Sequence, residues 1–424
     1  MGGPAKKKFK TSRSYDITLK IKDEDYSTDI LRIRLSSSLA TGYQIVIITI
    51  AITPQTILLN QLYGQDPIIL KINKLDYDET IKETMEFDLM ILKSEFDIPV
   101  SDIMLTNNQK DRASFEIITV VREPFQIMST MVNPMFGATV SNNSWTGART
   151  VKQMIETIIK EKIKPVPKLE YDKDNANQDQ ILQTCCPPTT LSKAIKYLDY
   201  NYGIYNGVSA VFCQYDNTLQ IMNLTERIKK DYTIFVEHLT TQTSPEDIKK
   251  SISKSNNYFY TYDNLSTNYN GNSKFGVLGK TLKHIVLPSN KLYHIIEQNL
   301  NDVCTKYGII SKTKGSSAHV NTSVENRVKY YIDNDGLELS EIFANSKIAK
   351  QIADTSRVSF SLSHDLPIEK LIKIGSCVKL QTKTQEHIDI GGKYILFSSD
   401  LTWNKLAEWH TSSRVVLIRT NKTI

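Results

Sequence analysis

The chain has 424 residues, of which 40% are apolar and 23% are charged, and its formal net charge is +6. This length predicts two to four domains, and the composition is typical of a soluble globular protein. The longest apolar run, Tyr43 to Ile52, is about half as long as a membrane-spanning helix, so we expect no membrane anchor, and no apolar segment follows the basic N-terminus as a secretory signal would require.

The cysteines and histidines predict neither disulfides nor a metal site. No pair has Cys-x-x-Cys spacing, and the seven histidines are scattered. We therefore expect folding in a reducing cytoplasm, with free thiols, no metal and no cofactor. The five cysteines are Cys185, Cys186, Cys213, Cys304 and Cys377.

The sequence from Tyr15 to Glu123 predicts mostly β-strand. Residues 17–21 and 31–35 alternate strictly between apolar and polar side chains, which places one face of each strand on a core. The run 43–52 is almost continuously apolar and predicts a strand buried on both faces. We expect one short helix packed on a closed or nearly closed antiparallel sheet, because closure removes exposed strand edges.

The same β unit is repeated roughly 300 residues later, counted on the printed sequence. Each copy has a strand, a proline, a short helical pattern, a glycine suited to the left-handed residue after a helix, and a second strand. Two more strand-like runs follow each copy. Chance similarity is the alternative reading, but a duplicated unit in one chain lets a trimer imitate a six-fold ring. The first copy comprises 47–52, Pro54, Gly64, 68–72, 87–92 and 113–121, and the second comprises 358–362, Pro367, Gly375, 377–380, 394–398 and 414–420.

A helical pattern replaces the strand pattern between residues 125 and 225. Thr150 and Thr190 are predicted N-caps of two amphipathic helices, the second ended by Gly203. Residues 172–180 form a predicted loop, and 208–224 form a hairpin that turns at Asp216-Asn217. The inward positions are Val151, Met154, Ile155, Ile158 and Ile159 in the first helix and Leu191, Ala194, Ile195 and Leu198 in the second.

The remaining sequence predicts a β unit interrupted by an insertion. A strand at 232–240 is followed by about a hundred residues with helical patterns near 290–307 and 338–354, and strands resume after Arg357. The predicted class is α+β and β-rich, with two antiparallel β-barrels, each carrying a short helix. The predicted domains are a first barrel at 11–124, a central helix-and-hairpin domain at 125–225, a second barrel at 226–245 plus 355–424, and an insertion at 246–354.

Residues 181–207 carry a resemblance to a known family. A proline turn at Pro187-Pro188 is followed by a helix of the form Leu-x-x-Ala-Ile-x-Tyr-Leu at 191–198 and by Tyr-Gly-Ile-Tyr at 202–205, which enters a hairpin. This run resembles the central domain of baseplate hub proteins of contractile-tailed bacteriophages, which are related to the phage late control protein and to the N-terminal part of type VI secretion spike proteins. The C-terminal strand pair, with 392–396, is also similar to the end of such a hub.

The resemblance implies a mechanical role. Hub proteins are similar to two tail-tube subunits joined in one chain, and three copies form a torus of six tube-like barrels around a DNA channel. It implies a homotrimer in the virion tail, assembled in the host cytoplasm, without enzymatic activity. The implied partners are the tail tube or its initiator protein, a separate central spike protein, baseplate wedge proteins and phage DNA that passes without specific binding.

The sequence signals for nucleotide binding and for calcium binding are weak. Gly279-Lys280-Thr281 lacks the earlier glycine of a phosphate loop, since Lys274 stands there. The segment beginning at Asp172 has Asn177 and Gln183 where a calcium loop needs glycine and glutamate.

Two alternative functions stay open. The tyrosine-rich segment 258–269, with Tyr258, Tyr260 and Tyr262, is compatible with stacking of single-stranded nucleic-acid bases, although such alternation is also typical of one strand face or an interface patch. Acidic clusters such as Asp23-Glu24-Asp25 leave a tail-associated peptidoglycan hydrolase possible by composition, although solvated loops often look the same.

Overall fold

A computed structural model gives the fold of two compact units. The first contains Met1–Ser36, Gln44–Glu123 and Asp400–Ser413, and the second contains Ser37–Tyr43, Pro124–Ser399 and Arg414–Ile424. The four predicted domains stay a prediction. The residues that the structure describes are 15–52, 66–75, 80–96, 113–133, 135–137, 139–141, 144–174, 176–178, 180–181, 183–205, 207–238, 257–260, 266–269, 281–288, 294–299, 324–326, 332–333, 356–362, 368–381, 391–406 and 408–419.

An antiparallel sheet dominates the first unit. Its strand order is β3-β4-β7-β6-β5-β1-β2, and β3 also pairs with the strand at 392–405, whose residues from Asp400 belong to this unit. Every register given for its neighbouring strands is antiparallel, as the alternating sequence patterns predict. The predicted helix between 53 and 64 lies outside the described residues. The strands are β1 (Tyr15–Ile21), β2 (Glu24–Asp25), β3 (Ile30–Ser38), β4 (Gln44–Ile52), β5 (Ile68–Leu75), β6 (Ile81–Phe96) and β7 (Ala113–Val121).

Only one face of the first sheet is fully buried. In β4, Val46 and Ile48 have no exposed surface, whereas Ile45 and Ile47 are half-buried. The prediction that β4 is buried on both faces is therefore wrong for the single chain. The reason is the pleat: alternate side chains point to opposite faces, and the outer face, where Ile47 pairs with the half-buried Ile118, has no complete cover.

The second unit begins with a compact block of helices and short strands. Its three-stranded sheet has the order β12-β16-β15, with β12 parallel to β16 and β15 antiparallel to it. The helix α1 was not predicted from sequence. The elements are α1 (Arg122–Ser129), β8 (Met131–Val132), β9 (Met135–Gly137), β10 (Thr139–Ser141), β11 (Ser144–Thr146), α2 (Val151–Lys162), β12 (Lys168–Tyr171), β13 (Gln183–Cys185), β14 (Thr189–Thr190), α3 (Leu191–Tyr202), β15 (Ser209–Cys213), β16 (Thr218–Asn223) and α4 (Leu224–Arg227).

The second half of this unit is again mainly strand, although residues 400–413, in its last two strands, belong to the first unit. The sheet order is β19-β24-β18-β17-β25-β26, and β27 pairs with both β24 and β26. Among the described residues, no helix has the length and apolar character needed to cross a bilayer. The elements are β17 (Ile234–His238), β18 (Asn257–Tyr260), β19 (Ser266–Tyr269), β20 (Thr281–Pro288), β21 (His294–Asn299), β22 (Val324–Asn326), β23 (Ile332–Asp333), β24 (Ser356–Leu362), α5 (Ile368–Leu371), β25 (Cys377–Gln381), β26 (Gly392–Lys405) and β27 (Trp409–Ile418).

The two sheets repeat one strand order. In the first, β4 pairs with β7, β7 with β6, β6 with β5, and β5 with β1; in the second, β24 pairs with β27, β27 with β26, β26 with β25, and β25 with β17. The corresponding strands occur in the same chain order, apart from the insertion after β17. The correspondence covers strand order alone, because β1 is antiparallel to β5 whereas β17 is parallel to β25.

Three parts of the predicted β architecture need correction. First, β17 is parallel to β25, whereas an antiparallel barrel was predicted. A parallel pair needs a long crossover connection, and the insertion between these strands is ample for one. Second, the described pairings of the first sheet run from β26 through β3 to β2 without closing it, and only one residue pair, Tyr260 with Leu362, joins β18 to β24 in the second. The β-rich α+β class is confirmed, but closed barrels are not found among the described strands.

The third correction concerns the helix predicted near 290–307. Residues His294–Asn299 form β21, antiparallel to β20, with Ile285 opposite Ile295. The adjacent β-branched residues Ile295 and Ile296 suit a strand when a partner strand is available, and the apolar spacing alone cannot distinguish this from a helix. The helix predicted near 338–354 lies outside the described residues.

Candidate interaction surface

The family-like motif lies in β13, β14, α3 and the turn into β15, where it builds a common core with α2. Both predicted helices bury the predicted apolar stripes. Thr150 forms a capping box: its Oγ accepts the Gln153 N–H at 3.2 Å, and the Gln153 side chain accepts the Thr150 N–H at 2.9 Å. Gly203 ends α3 with a φ of 75°, a conformation that glycine adopts without steric cost. The main role of the motif is therefore to pack the core that α2 and α3 share.

Polar groups of the motif are satisfied within the block. The Tyr205 hydroxyl donates to the carbonyl oxygen of Ile221 at 2.8 Å, and burial raises the pKa of Tyr205 far above its ordinary value. The buried Asp199 accepts the Ile204 N–H at 3.2 Å. The Asn177 side chain donates to two carbonyl oxygens at the end of α3, each at 3.0 Å. These bonds fix the turn after α3, and we assign them a structural role.

The segment weighed as a calcium loop is occupied by internal contacts. The Asp172 carboxylate accepts Arg227 Nε at 2.7 Å and Nη2 at 3.1 Å, and it also accepts the Asn223 N–H at 2.9 Å. The Arg227 guanidinium already neutralises this carboxylate, so the carboxylate has little tendency to bind a metal cation. Within the described residues, no group of three or more His, Cys, Asp or Glu side chains could hold a metal ion.

The structure adds little support for the remaining candidate functional sites. Asp25 lies in β2, where hydrogen bonds from the Ser27 hydroxyl and N–H lower the pKa of its carboxyl group. Tyr258 and Tyr260 are part of β18, whereas Tyr262 and Gly279-Lys280 lie outside the described residues. Among the four described cysteines all are free thiols, and the predicted thiol state is confirmed for these four.

A ribbon of two short antiparallel pairings lies along the motif, formed by residues 131–133 and 135–137 with 183–190. Met131 pairs with Thr190 through β8 and β14, and Met135 pairs with Cys185 through β9 and β13. Between these two pairings the ladder is interrupted. Pro187 and Pro188 lack the N–H that a continuous ladder needs, which explains the interruption.

Five side chains of this ribbon are exposed, whereas Val132, Thr184 and Cys186 are buried. Met131 is 61% exposed and Met135 is 64% exposed, and Cys185, Pro187 and Pro188 are exposed beside them. A contiguous group of exposed apolar residues marks an interaction site more often than single exposed residues do. We call these five residues the Met–Pro surface.

One face of α3 continues the Met–Pro surface. The Tyr197 hydroxyl donates to the carbonyl oxygen of Cys185 at 3.0 Å. Lys193 and Tyr200 lie one helical turn to either side of Tyr197 and are both exposed. Residues 131–137 and 183–190 carry no charged side chain, so the only charges this arrangement adds are cationic. The surface is apolar with a positive border.

Comparison with known proteins identifies the fold class. No protein-family model matches the sequence, and no curated protein sequence matches it. The chain has the fold of a tail protein from Neisseria meningitidis MC58, with a TM-score of 0.54, 10% identity, and coverage of 96% of this chain and 97% of that chain. The 43 kDa tail protein of prophage MuSo2 from Shewanella oneidensis is similar at a TM-score of 0.50 and 10% identity, covering 96% and 97% of the two chains.

A weaker likeness, at a TM-score of 0.47 and 9% identity, is to the E. coli c3393 protein, a component of the type VI secretion system, and covers 95% of this chain and 77% of that chain. The first two comparisons confirm, at the level of fold, the resemblance to tail proteins that residues 181–207 predicted.

Sequence reasoning found the motif core but missed the Met–Pro surface. Periodicity identifies buried positions, and it predicted neither β8 nor β9 because each has only two or three residues. The proline pair at 187–188 was a usable signal of a broken ladder. The exposure of Met131 and Met135 depends on their pairing partners and had no signal in the sequence.

Proposed function

We propose that this protein is the structural baseplate hub of a phage contractile tail. In this proposal, three copies form a torus that joins a six-fold tail tube to a three-fold spike and encloses the DNA channel. The observation that carries the proposal is the repeated strand order of the two sheets, combined with the tail-protein fold across 96% of the chain.

The two similar sheets of one chain allow a three-fold ring to contact a six-fold tube. A ring that contacts a six-fold tube needs six similar surfaces, whereas a three-fold spike needs three. One chain with two similar β units meets both requirements when three copies associate around an axis. The differences between the units, such as the parallel β17–β25 pair and the insertion, then distinguish alternate positions of the ring.

The finer features of the proposal come from the family resemblance. We propose that each sheet closes into a tube-like barrel in the assembled ring and that the chain is organised as barrel, central domain and interrupted barrel with the insertion at 246–354. Its partners are the tube or tube initiator, a separate spike protein and wedge proteins. DNA passes without specific binding, and the protein is located in the virion tail after assembly in the host cytoplasm.

Oligomeric mass and particle shape test this proposal together. Sedimentation velocity of the purified chain, alone and mixed with tube and spike proteins, should reveal a species of about 145 kDa, three times the 48.3 kDa of one chain. Negative-stain class averages of that species should have six lobes around a central hole. A monodisperse monomer in every mixture, or a particle without six lobes, would contradict the proposal.

The proposed role requires no catalytic chemistry. A zymogram on peptidoglycan tests this point, with lysozyme as the positive control and the same chain denatured by heat as the negative control. Clearing by the native chain alone would favour the hydrolase alternative. Binding of single-stranded DNA that weakens steeply with salt would favour the nucleic-acid alternative.

A further inference from the structure

We infer that Arg227 locks a joint within the second unit, and that this joint fixes the angle between the central block, residues 124–223, and the second sheet. Two bridges connect these parts: the α4 bridge, residues 224–233, and the turn bridge, residues 37–43. The ion pair between Arg227 and Asp172 holds the first bridge rigid. Because the joint lies within one chain, the inference goes beyond the proposed function and does not depend on how many copies associate.

Strand β16 is a wall that the central block shares with the second sheet. Its residues Leu219 and Ile221 belong to the core of α2 and α3, and Met222 points away from that core because successive strand residues point to opposite faces. Met222 is fully buried, and a Cβ added at Gly375, just before β25, would meet its sulfur. Glycine at 375 therefore allows the block and the sheet to touch.

Arg227, the last residue of α4, contacts both parts. Its Nε and Nη2 donate to the Asp172 carboxylate at 2.7 Å and 3.1 Å, and Asp172 directly follows β12 of the central block. On the sheet side, its Nη1 lies 3.4 Å from the position that a Cβ on Gly375 would take. The two charged side chains are only 21% and 16% exposed, so solvent screens this pair less than a surface pair. Two parallel bonds also fix the direction of the guanidinium.

The chain after α4 is tied to the second sheet by hydrogen bonds. The Thr233 N–H donates to the carbonyl oxygen of Cys377 at 2.9 Å, and Lys393 Nζ donates to the carbonyl oxygen of Lys230 at 2.8 Å. Lys230 also pairs with Asp174 of the block at 3.5 Å, but both side chains are more than half exposed and the pair contributes little. The buried Arg227 pair is therefore the main charged contact between this bridge and the block.

The turn bridge joins the same two parts without charged groups. The Leu39 N–H donates to the carbonyl oxygen of Phe397 in β26 at 3.0 Å, and the Cys213 N–H in β15 donates to the carbonyl oxygen of Gly42 at 2.8 Å. Neither bond involves Arg227, so both remain when the ion pair is removed. With one bridge loosened, the block should rotate about the other bridge rather than separate from the sheet.

Distances between spin labels in the full chain measure whether the joint is fixed. Lys160→Cys at the end of α2 and Gln381→Cys at the end of β25 carry the labels, since both residues are exposed, and Cys185 and Cys304 are replaced by serine. Diluting labelled chains about tenfold with unlabelled chains removes distances between copies. The parent should give one narrow distance distribution, and Arg227→Met should broaden it at least about twofold.

Lys229→Met is the matched control, because it removes a cation two residues farther along the same bridge. Lys229 pairs with Glu226 at 2.7 Å, so its ion pair stays within the α4 bridge. Its distance distribution should match that of the parent. Asp172→Ala removes the other partner of the Arg227 ion pair and should broaden the distribution as much as Arg227→Met does.

A second pair of labels separates motion at the joint from unfolding of the block. Lys160→Cys and Lys193→Cys both lie in the block, on α2 and α3, so their distribution should stay narrow in every variant. Four results would overturn the inference: an unchanged block-to-sheet distribution in Arg227→Met, an unchanged one in Asp172→Ala, equal broadening in Lys229→Met, or broadening of the label pair within the block. None of them depends on oligomeric mass, so failure of the inference is distinguishable from failure of the proposed trimer.

Discussion

Replacing Leu198 by alanine should destabilise the central block much more than a matched change elsewhere on α3. Leu198 has no exposed surface and packs in the core that α2 and α3 share. Removing its isobutyl group leaves a cavity, and such changes in well-packed cores cost about 2–5 kcal/mol. We expect Leu198→Ala to lower the free energy of unfolding by about 3 kcal/mol, because neighbouring helices in one core relax only partly into the space.

Hydrogen exchange measures this cost within the block itself, which matters because a chain of two units need not unfold in one step. A loss of about 3 kcal/mol makes exchange of the most protected α3 amides roughly 100-fold faster, while amides of β1 and β5 keep their rates. Tyr200→Ala is the control, since Tyr200 is on the same helix but 50% exposed, and it should change stability by less than about 0.5 kcal/mol.

Equal effects of Leu198→Ala and Tyr200→Ala would refute this account of the core. A stricter version replaces Leu198 by aspartate, which buries an unpaired charge at a cost of several kcal/mol. The yield of soluble protein should then collapse. A soluble Leu198→Asp chain with parental exchange rates would refute the assignment of α3.

Three further predictions concern the second unit. Asp172→Asn should cost about 1–2 kcal/mol of stability, and a double-mutant cycle with Arg227→Met should give a coupling of at least about 1 kcal/mol; strictly additive costs would contradict the ion pair. Gly375→Ala should lower the melting temperature, because Gly375 has a φ of 84° and an added Cβ would meet a methionine side chain; the control Gly137→Ala has open space and should have little effect. Cys185 is exposed whereas the other three described cysteines are buried, so Cys185→Ser should remove one thiol that reacts rapidly with a disulfide reagent, and an unchanged rapid phase would contradict its exposure.

The helical core was the most predictable part of this fold. The stripe from Val151 to Ile159 and the threonine at 150 specify one face and one start of α2, and both are local properties of the chain. The second helix was predicted equally well, although Thr190 makes no side-chain capping bond in the structure. Its end at Gly203 needed only the conformational freedom of glycine.

Predictions failed where a distant partner decides the local structure. His294–Asn299 pairs with β20 and forms a strand, although the same apolar spacing fits a helix. The outer face of β4 was predicted as buried because its residues are apolar, but burial depends on what covers the sheet. The Met–Pro surface was missed for the same reason, because its exposure follows from pairings between 131–137 and 183–190.

The sequence by itself determined the elements whose stabilising contacts are local, namely the alternating strands, the two amphipathic helices and the tight turns, and it predicted that one β pattern occurs twice. Only the tertiary structure decided strand order, the parallel direction of β17 beside β25, and which apolar side chains remain in solvent. The physical reason is that hydrogen-bond pairing and burial join residues far apart in the chain, and periodicity within a segment carries no information about the identity of its partner.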